Sequence, residues 1–273
     1  MLKIGQIDFA NLYPIFYGLN RQLKSPDYQF IKGPPSHINH LLENNEIDVG
    51  PCSSIEYLCS GNIYNLIPGH SNSAVGEIKS ISLFSALPIN ELSCQSILTT
   101  YKSETSSALL RVILERFLGL KANITISKET LKQGLKNNSA YLLIGDDALN
   151  EACINGFMDN DGILGNRAND LYLYDLSLLW YQYTGLPFVF ALWLSSKDAA
   201  QKTQYNKFIA ELDNAKINAL SELNVIAQSY PSKGVITESL LLAYWNTISY
   251  DLTDLHLKGL ELFRQYLIVL KII

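Results

Sequence analysis

The sequence has few cysteines, and none of the spacings that would give them a joint task. Only Cys52, Cys59, Cys94 and Cys153 occur in 273 residues. They form no Cys-x-x-Cys pair and fall far below the density of a disulfide-stapled scaffold. They are expected to be buried thiols of a reducing compartment. Long apolar runs are missing too. The longest, residues 186–194, is about half of the ~20 residues that span a bilayer, and Lys271 interrupts the apolar stretch ending at Leu270. The opening Met1-Leu2-Lys3-Ile4-Gly5-Gln6 has neither the apolar stretch nor the cleavage site of an export signal. A cytoplasmic protein with no membrane partner is expected.

Positive charge is never concentrated. The net charge is -5, with acidic and basic residues mixed along the chain, so there is no electrostatic footprint for nucleic acid. A local pocket for a small anion is not excluded by net charge. The chain also lacks a Gly-x-x-x-x-Gly-Lys phosphate loop, a Gly-x-Gly-x-x-Gly dinucleotide turn and a Gly-x-Ser-x-Gly nucleophile elbow. His37 and His40 stand three apart with no third ligand in a metal-binding spacing, and read as a solvated helix face.

What is present is an alternation. Hydrophobic residues make up 48% and charged residues 17%, as in globular domains. Short apolar segments bounded by Gly, Pro and Asn alternate with helical patterns, which predicts an α/β protein. Strands are expected at residues 2–7, 28–31, 47–49, 79–85, 96–100, 124–127, 140–144, 171–174 and 188–194. Ser36 is expected to cap a helix carrying Ile38, Leu41 and Leu42. A second follows residues 103–106, with Leu109, Val112, Ile113 and Phe117 inward and Gly119 as its stop. Residues 155–169 read as an exposed loop, and the Trp180 region as packing. Three helices are expected at about 201–229, 237–248 and 254–269.

Four polar segments each follow a strand and precede a helix. They are Asp8–Pro14, Cys52-Ser53-Ser54, Ser103-Glu104-Thr105-Ser106 and Gly145-Asp146-Asp147. In open α/β sheets ligands bind at that edge, and helix N-termini there suit a carboxylate. Each segment by itself reads more readily as an ordinary helix cap, and it is their number that points to a cleft. Glu56, Glu77, Glu104, Asp146 and His70 are possible proton carriers, and spacing selects none of them.

The order of segments resembles the chorismate dehydratases of the futalosine route to menaquinone. The likeness runs from Ile4-Gly5 through Asn11, Pro14 and Tyr17-Gly18-Leu19 to Gly33-Pro34-Pro35-Ser36-His37-Ile38-Asn39 and Ile47-Asp48-Val49. It continues in Ser53-Ser54-Ile55-Glu56-Tyr57, Ser80-Ile81-Ser82-Leu83-Phe84-Ser85 and Leu143-Ile144-Gly145-Asp146-Asp147-Ala148-Leu149. Its most specific stretch is Tyr174-Asp175-Leu176, Trp180 and Thr184-Gly185-Leu186-Pro187-Phe188-Val189-Phe190-Ala191-Leu192-Trp193. Asp8-Phe9-Ala10 and Pro51-Cys52 depart from the family's usual pattern, at the walls of the expected pocket.

This resemblance implies a two-lobed type 2 periplasmic-binding-protein-like fold with two crossover strands. Lobe 1 would hold residues 1–85 and 190–273, lobe 2 residues 86–189, with a ligand cleft between them. It implies a hydro-lyase that converts the dicarboxylate chorismate to 3-[(1-carboxyvinyl)oxy]benzoate with no metal or organic cofactor. Ser103, Thr105 and Ser106 would hold one carboxylate, Ser53, Ser54 and Ser80 the other, with Gly145 also at the substrate. Asn11 would bond the reacting region. The base would be Glu56, Asp146 or the substrate's own enolpyruvyl carboxylate. Three alternatives share the fold. A solute receptor would need export or an anchor, and a regulator's effector domain would need a preceding helix-turn-helix. The pathway's naphthoate synthase would need an opening and a catalytic-histidine context that this sequence does not display.

Overall fold

The computed structural model describes residues 1–159, 162–163, 165–231 and 234–273. In chain order the first elements are β1 (Leu2–Gln6), α1 (Tyr13–Gln22), β2 (Tyr28–Lys32), α2 (Pro35–Glu43), β3 (Val49–Ser53), α3 (Ser54–Ser60) and β4 (Tyr64–Ala74). Next come β5 (Ile81–Ser85), β6 (Ser96–Thr100), α4 (Glu104–Val112), β7 (Asn123–Ser127), α5 (Leu131–Gly134), β8 (Ala140–Ile144) and α6 (Gly145–Ile154). The short strands β9 (Met158–Asp159), β10 (Gly162–Ile163) and β11 (Arg167–Ala168) precede β12 (Leu171–Asp175) and α7 (Leu176–Thr184). The chain closes with β13 (Phe188–Ser196), α8 (Tyr205–Ser221), α9 (Leu223–Ser229), α10 (Glu238–Trp245) and α11 (Asp254–Val269).

These elements form two compact units. One comprises Met1–Ser73, Val189–Tyr230 and Ser249–Thr253; the other comprises Ala74–Phe188, Pro231–Ile248 and Asp254–Ile273. The division differs from the expected lobes at two places. Residues 74–85 join the second unit because β5 pairs there with both β8 and β12. α10 and α11 join it because their aromatic residues are buried there: Tyr244 bonds to Ser80, and Phe263 packs on Phe188 and Trp180.

In the first unit the sheet order is β2-β1-β3-β13-β4. β1 runs parallel to β2 and β3, and β13 runs antiparallel to β3, with Ala191 opposite Ser53. Gly5 lets α2 close on this sheet: a Cβ there would lie 2.7 Å from Ile47 Cδ1 and 2.8 Å from Ile38 Cγ2. α2 begins after Pro34, which is its N-cap, so Ser36 lies inside the helix instead of capping it. The third strand falls on Val49–Ser53, two residues later than expected, because pairing with β13 extends it to Ser53. β4 had no strand pattern, since Pro68 and Gly69 interrupt it and Ser71-Asn72-Ser73 is polar. Its backbone is satisfied from elsewhere: Ser71 N donates to Tyr250 O (3.0 Å) and Ser73 N to Ser249 O (2.9 Å). Lys197, just past β13, reaches Tyr64 O at the start of β4 (2.8 Å), so these neighbouring strands run in opposite senses. The helix expected over 201–229 divides into α8 and α9 at Glu222.

In the second unit the order is β11-β12-β5-β8-β6-β7. β6 is parallel to β7 and β8, whereas β5 is antiparallel to β8 and β12. Ser103 caps α4, accepting from Ser106 N. The helix widens into a π turn over Ile113–Phe117, and Gly119 follows at φ +68°. Trp180 is fully buried, with the rings of Phe188 at 5.2 Å and of Phe117 and Phe263 at 6.0 Å. Its neighbours Tyr181 and Tyr183 are exposed. Part of the expected loop at 155–169 lies outside the described residues. The thiol expectation needs correction: Cys52 is buried, but Cys59 and Cys94 are exposed, because each sits in a turn or short-helix position facing water. His37 and His40 are exposed. No helix among the described residues is long and apolar enough to cross a membrane.

Candidate functional site

Strand direction sorts the candidate residues onto one edge of each sheet. In the first unit, β1 and β3 both end at that edge, leading to Asn11 and Ser53, and the antiparallel β13 begins there. In the second, β6 and β8 end at one edge, leading to Ser103–Ser106 and Gly145, while the antiparallel β5 begins there after Ser80. The turn Asp175–Leu176 lies at the same edge, because β12 is also antiparallel to β5. Ser80 and Gly145 touch directly, Gly145 N donating to Ser80 O at 2.7 Å. Gly145 sits at φ +59°, a conformation that favours glycine.

The hydroxyls fall into two classes once their protons are followed. Each has one proton and two lone pairs. Ser54, fully buried, donates to Val189 O at 2.6 Å, so its proton is committed within the protein. Ser103 is in the same position: it donates to Ser106 Oγ at 2.9 Å while accepting from Ser106 N at 3.1 Å. By contrast, Ser53 Oγ accepts from Asn39 Nδ2 (3.0 Å) and from Glu56 N (3.4 Å). Ser80 Oγ accepts from Tyr244 Oη (2.8 Å), and Ser106 Oγ accepts from Ser103. Ser53, Ser80 and Ser106 are therefore oriented by internal donors and keep their own protons to give. Thr105 is buried beside Ser106 on the first turn of α4. Of the six hydroxyls expected at the substrate, the geometry thus removes Ser54 and Ser103 as donors, because a proton given to a backbone carbonyl or a neighbouring serine cannot also go to a ligand.

Asn11 has its backbone fixed by Tyr250, whose phenol donates to Asn11 O at 2.7 Å. Its side-chain Oδ1 is buried and has no hydrogen-bond partner, and Asn72 Oδ1 is in the same state. Asn72 is 5% exposed and lies near the end of β4, at the sheet edge where β13 begins. A buried amide without a partner costs free energy unless a ligand or water completes it. The sequence reading missed Asn72; the signal was a polar Ser-Asn-Ser run inside what proves to be a strand.

The carboxylates differ in their freedom. Glu56 Oε1 accepts from Tyr64 Oη at 2.8 Å. Burial, with that bond and the Glu56 charge, pushes the Tyr64 phenol far above its ordinary range, so the proton stays on tyrosine. Burial likewise raises the Cys52 thiol, with the Glu56 charge adding to it, which leaves Cys52 an inert neighbour. Asp146 is half-buried on the first turn of α6, its carbonyl accepting from Asn150 Nδ2 at 2.9 Å. Asp175 is buried and pushed up to about 6 by burial, against the pull of three backbone N–H groups. Asn39, Tyr64, Asp175 and Tyr244 are the supporting residues that spacing gave no reason to choose. A separate cleft of about 290 Å³ in the second unit lies over Thr100, Lys102, Ser127 and Tyr141. Lys102 and Asp147 pair across it at 2.5 Å; of the four polar segments only Asp147 is among its lining residues, and none of the residues assigned to the substrate is. Among the described residues no group of three or more His, Cys, Asp or Glu could hold a metal ion.

Three comparisons bear on this arrangement. Residues 2–268 match the model of a family described as menaquinone biosynthesis. A curated relative from Thermus thermophilus, named chorismate dehydratase, is 28% identical over 97% of this chain and 94% of its own length. Among solved structures, a protein from Archaeoglobus fulgidus superposes with a TM-score of 0.75 at 14% identity, covering 100% of this chain and 98% of that one. The periplasmic aliphatic sulphonate binding protein SsuA of Escherichia coli superposes with a TM-score of 0.65 at 12% identity, covering 99% and 92%. The fold is that of the periplasmic binding proteins.

Proposed function

Because the chain belongs to the menaquinone biosynthesis family, we propose that it is a chorismate dehydratase of the futalosine route, a cytoplasmic hydro-lyase. The observation that carries this reading is the full-length match to the relative of that name. Serine hydroxyls at the sheet edges that accept from internal donors and give to none among the described residues support it. The proton on the ring carbon that bears the enolpyruvyl ether is acidified through the diene by the ring carboxylate. Its removal places negative charge on that carboxylate. Loss of the neighbouring hydroxyl, which leaves with a proton as water, then aromatises the ring to 3-[(1-carboxyvinyl)oxy]benzoate.

Such a reaction needs fixed donors for two carboxylates and for the charge that develops. Ser106 and Thr105 on the first turn of α4 would hold one carboxylate, with the positive end of the helix behind them. Ser53 and Ser80 would hold the other. The unpartnered Asn11 amide would bond the reacting region and the departing hydroxyl. Proton removal falls to Glu56, Asp146 or the substrate's own enolpyruvyl carboxylate. Glu56→Gln and Asp146→Asn separate these: loss of turnover in one variant names the base, and full turnover in both assigns it to the substrate.

The test is incubation of purified protein with chorismate, followed by mass and ultraviolet spectrum. The expected product is aromatic and lighter by one water, formed without added metal or nucleotide and in the presence of chelator. Tight binding with no change in mass would replace the enzyme with a small-carboxylate binding protein.

A further inference from the structure

We propose that Tyr244 is a positioning residue for this reaction, orienting Ser80 so that the serine proton faces the substrate; the proposal rests on the dehydratase reading above. Tyr244 lies on α10 and is 1% exposed; Ser80 is 3% exposed. The phenol donates to Ser80 Oγ at 2.8 Å. Burial raises the Tyr244 phenol well above its ordinary range, so it stays protonated and able to donate; the direction of the bond is that of its geometry, from the phenol to Ser80. A serine that accepts from a phenol must aim its own proton elsewhere. Among the described residues that proton meets no acceptor.

The backbone around Ser80 is held from two further sides. Asp175 accepts from Ile78 N (2.9 Å) and Lys79 N (2.6 Å). Gly145 N donates to Ser80 O at 2.7 Å. Lys79 takes φ +66°, a left-handed conformation unfavourable for lysine that persists only where the surroundings impose it. These contacts fix where the Ser80 Cβ stands but leave its χ1 free among three staggered positions. The Tyr244 bond selects one. Phenylalanine would fill the same space, so the phenolic oxygen adds only this contact.

The experiment is a double-mutant cycle on kcat/KM for chorismate with Tyr244→Phe and Ser80→Ala. If Tyr244 acts through Ser80, Y244F loses about tenfold, the worth of one net hydrogen bond. The loss appears mainly in kcat, since the Ser80 bond strengthens as charge builds on the carboxylate. Y244F in the S80A background then costs nothing further. Equal losses in both backgrounds would make Tyr244 a packing residue and overturn the proposal. A readout independent of turnover is a crystal structure of Y244F: Ser80 should leave the rotamer seen here, and an unmoved Ser80 also overturns the proposal. Should wild-type protein fail to turn over chorismate, the dehydratase reading falls while the rotamer still decides the positioning role. If Y244F does not fold, 3-fluorotyrosine at position 244 keeps the packing and alters the donated bond. A change in kcat/KM confined to the Ser80 background supports the proposal, and the same change in S80A overturns it.

Discussion

Asp175 Oδ2 accepts the Lys79 backbone N–H at 2.6 Å, while Oδ1 accepts from Leu178 N at 3.0 Å, so one buried carboxylate ties the segment before β5 to the start of α7. Burial is the largest influence on this group and holds it at about 6 instead of 3.8, with Glu77 adding to the rise. A folded-state value above the unfolded one means that the neutral form is favoured by folding. The associated stability is fully present below about pH 4 and lost as pH rises through 6. The full effect is on the order of 3 kcal/mol. Thermal melts of wild type and Asp175→Asn between pH 4 and 7 should show the wild-type advantage shrinking as pH rises. A constant or growing advantage would contradict the assignment.

Following the serine protons separates two neighbours. Ser54→Ala leaves Val189 O without its donor inside the protein and should cost about 1–3 kcal/mol of stability, with little change in KM. Ser53→Ala removes a proton not committed within the protein and should lower kcat/KM, with a loss of stability of its own because Asn39 Nδ2 and Glu56 N lose their acceptor. Exchange of these two phenotypes would show that the donor directions are reversed.

Asn11→Ala should lower kcat by roughly a hundredfold, equivalent to about 2–4 kcal/mol, and change KM less. The Tyr250 bond to Asn11 O does not involve the side chain, so the loop should stay in place. Unchanged kcat with raised KM would reduce Asn11 to a binding residue.

Asn72 offers a similar test with a different control. Its buried Oδ1 has no partner, so Asn72→Leu should leave stability unchanged or raise it, as removal of an unsatisfied polar atom does. Turnover should fall if the amide meets the substrate. A clear loss of stability would mean that the amide is satisfied within the folded chain.

Much of the fold was legible because local pattern and tertiary demand agree there. The apolar runs of β8 and β13 are buried on both faces and have few alternatives. Ser103 caps α4 as its place before the apolar helix suggested. β4 was not legible, because Pro68, Gly69 and three polar residues argue against a strand; pairing beside β13 and bonds to distant residues such as 216, 249 and 250 stabilise it. The division into two units follows the same rule. Nothing local in α10 or α11 says which sheet they cover; that was decided by where Tyr244 and Phe263 find partners.

The candidate site divides along a similar line. The sequence determined which hydroxyls and amides stand between a strand and a helix, since that placement depends on chain order alone. Only the tertiary structure decided which of them can act. Whether a serine keeps its proton depends on groups far along the chain: Val189 takes the proton of Ser54, while Asn39 and Tyr244 supply donors to Ser53 and Ser80. Hydrogen bonding is directional and short in range, so its outcome is fixed when distant segments meet and leaves no trace in residue spacing.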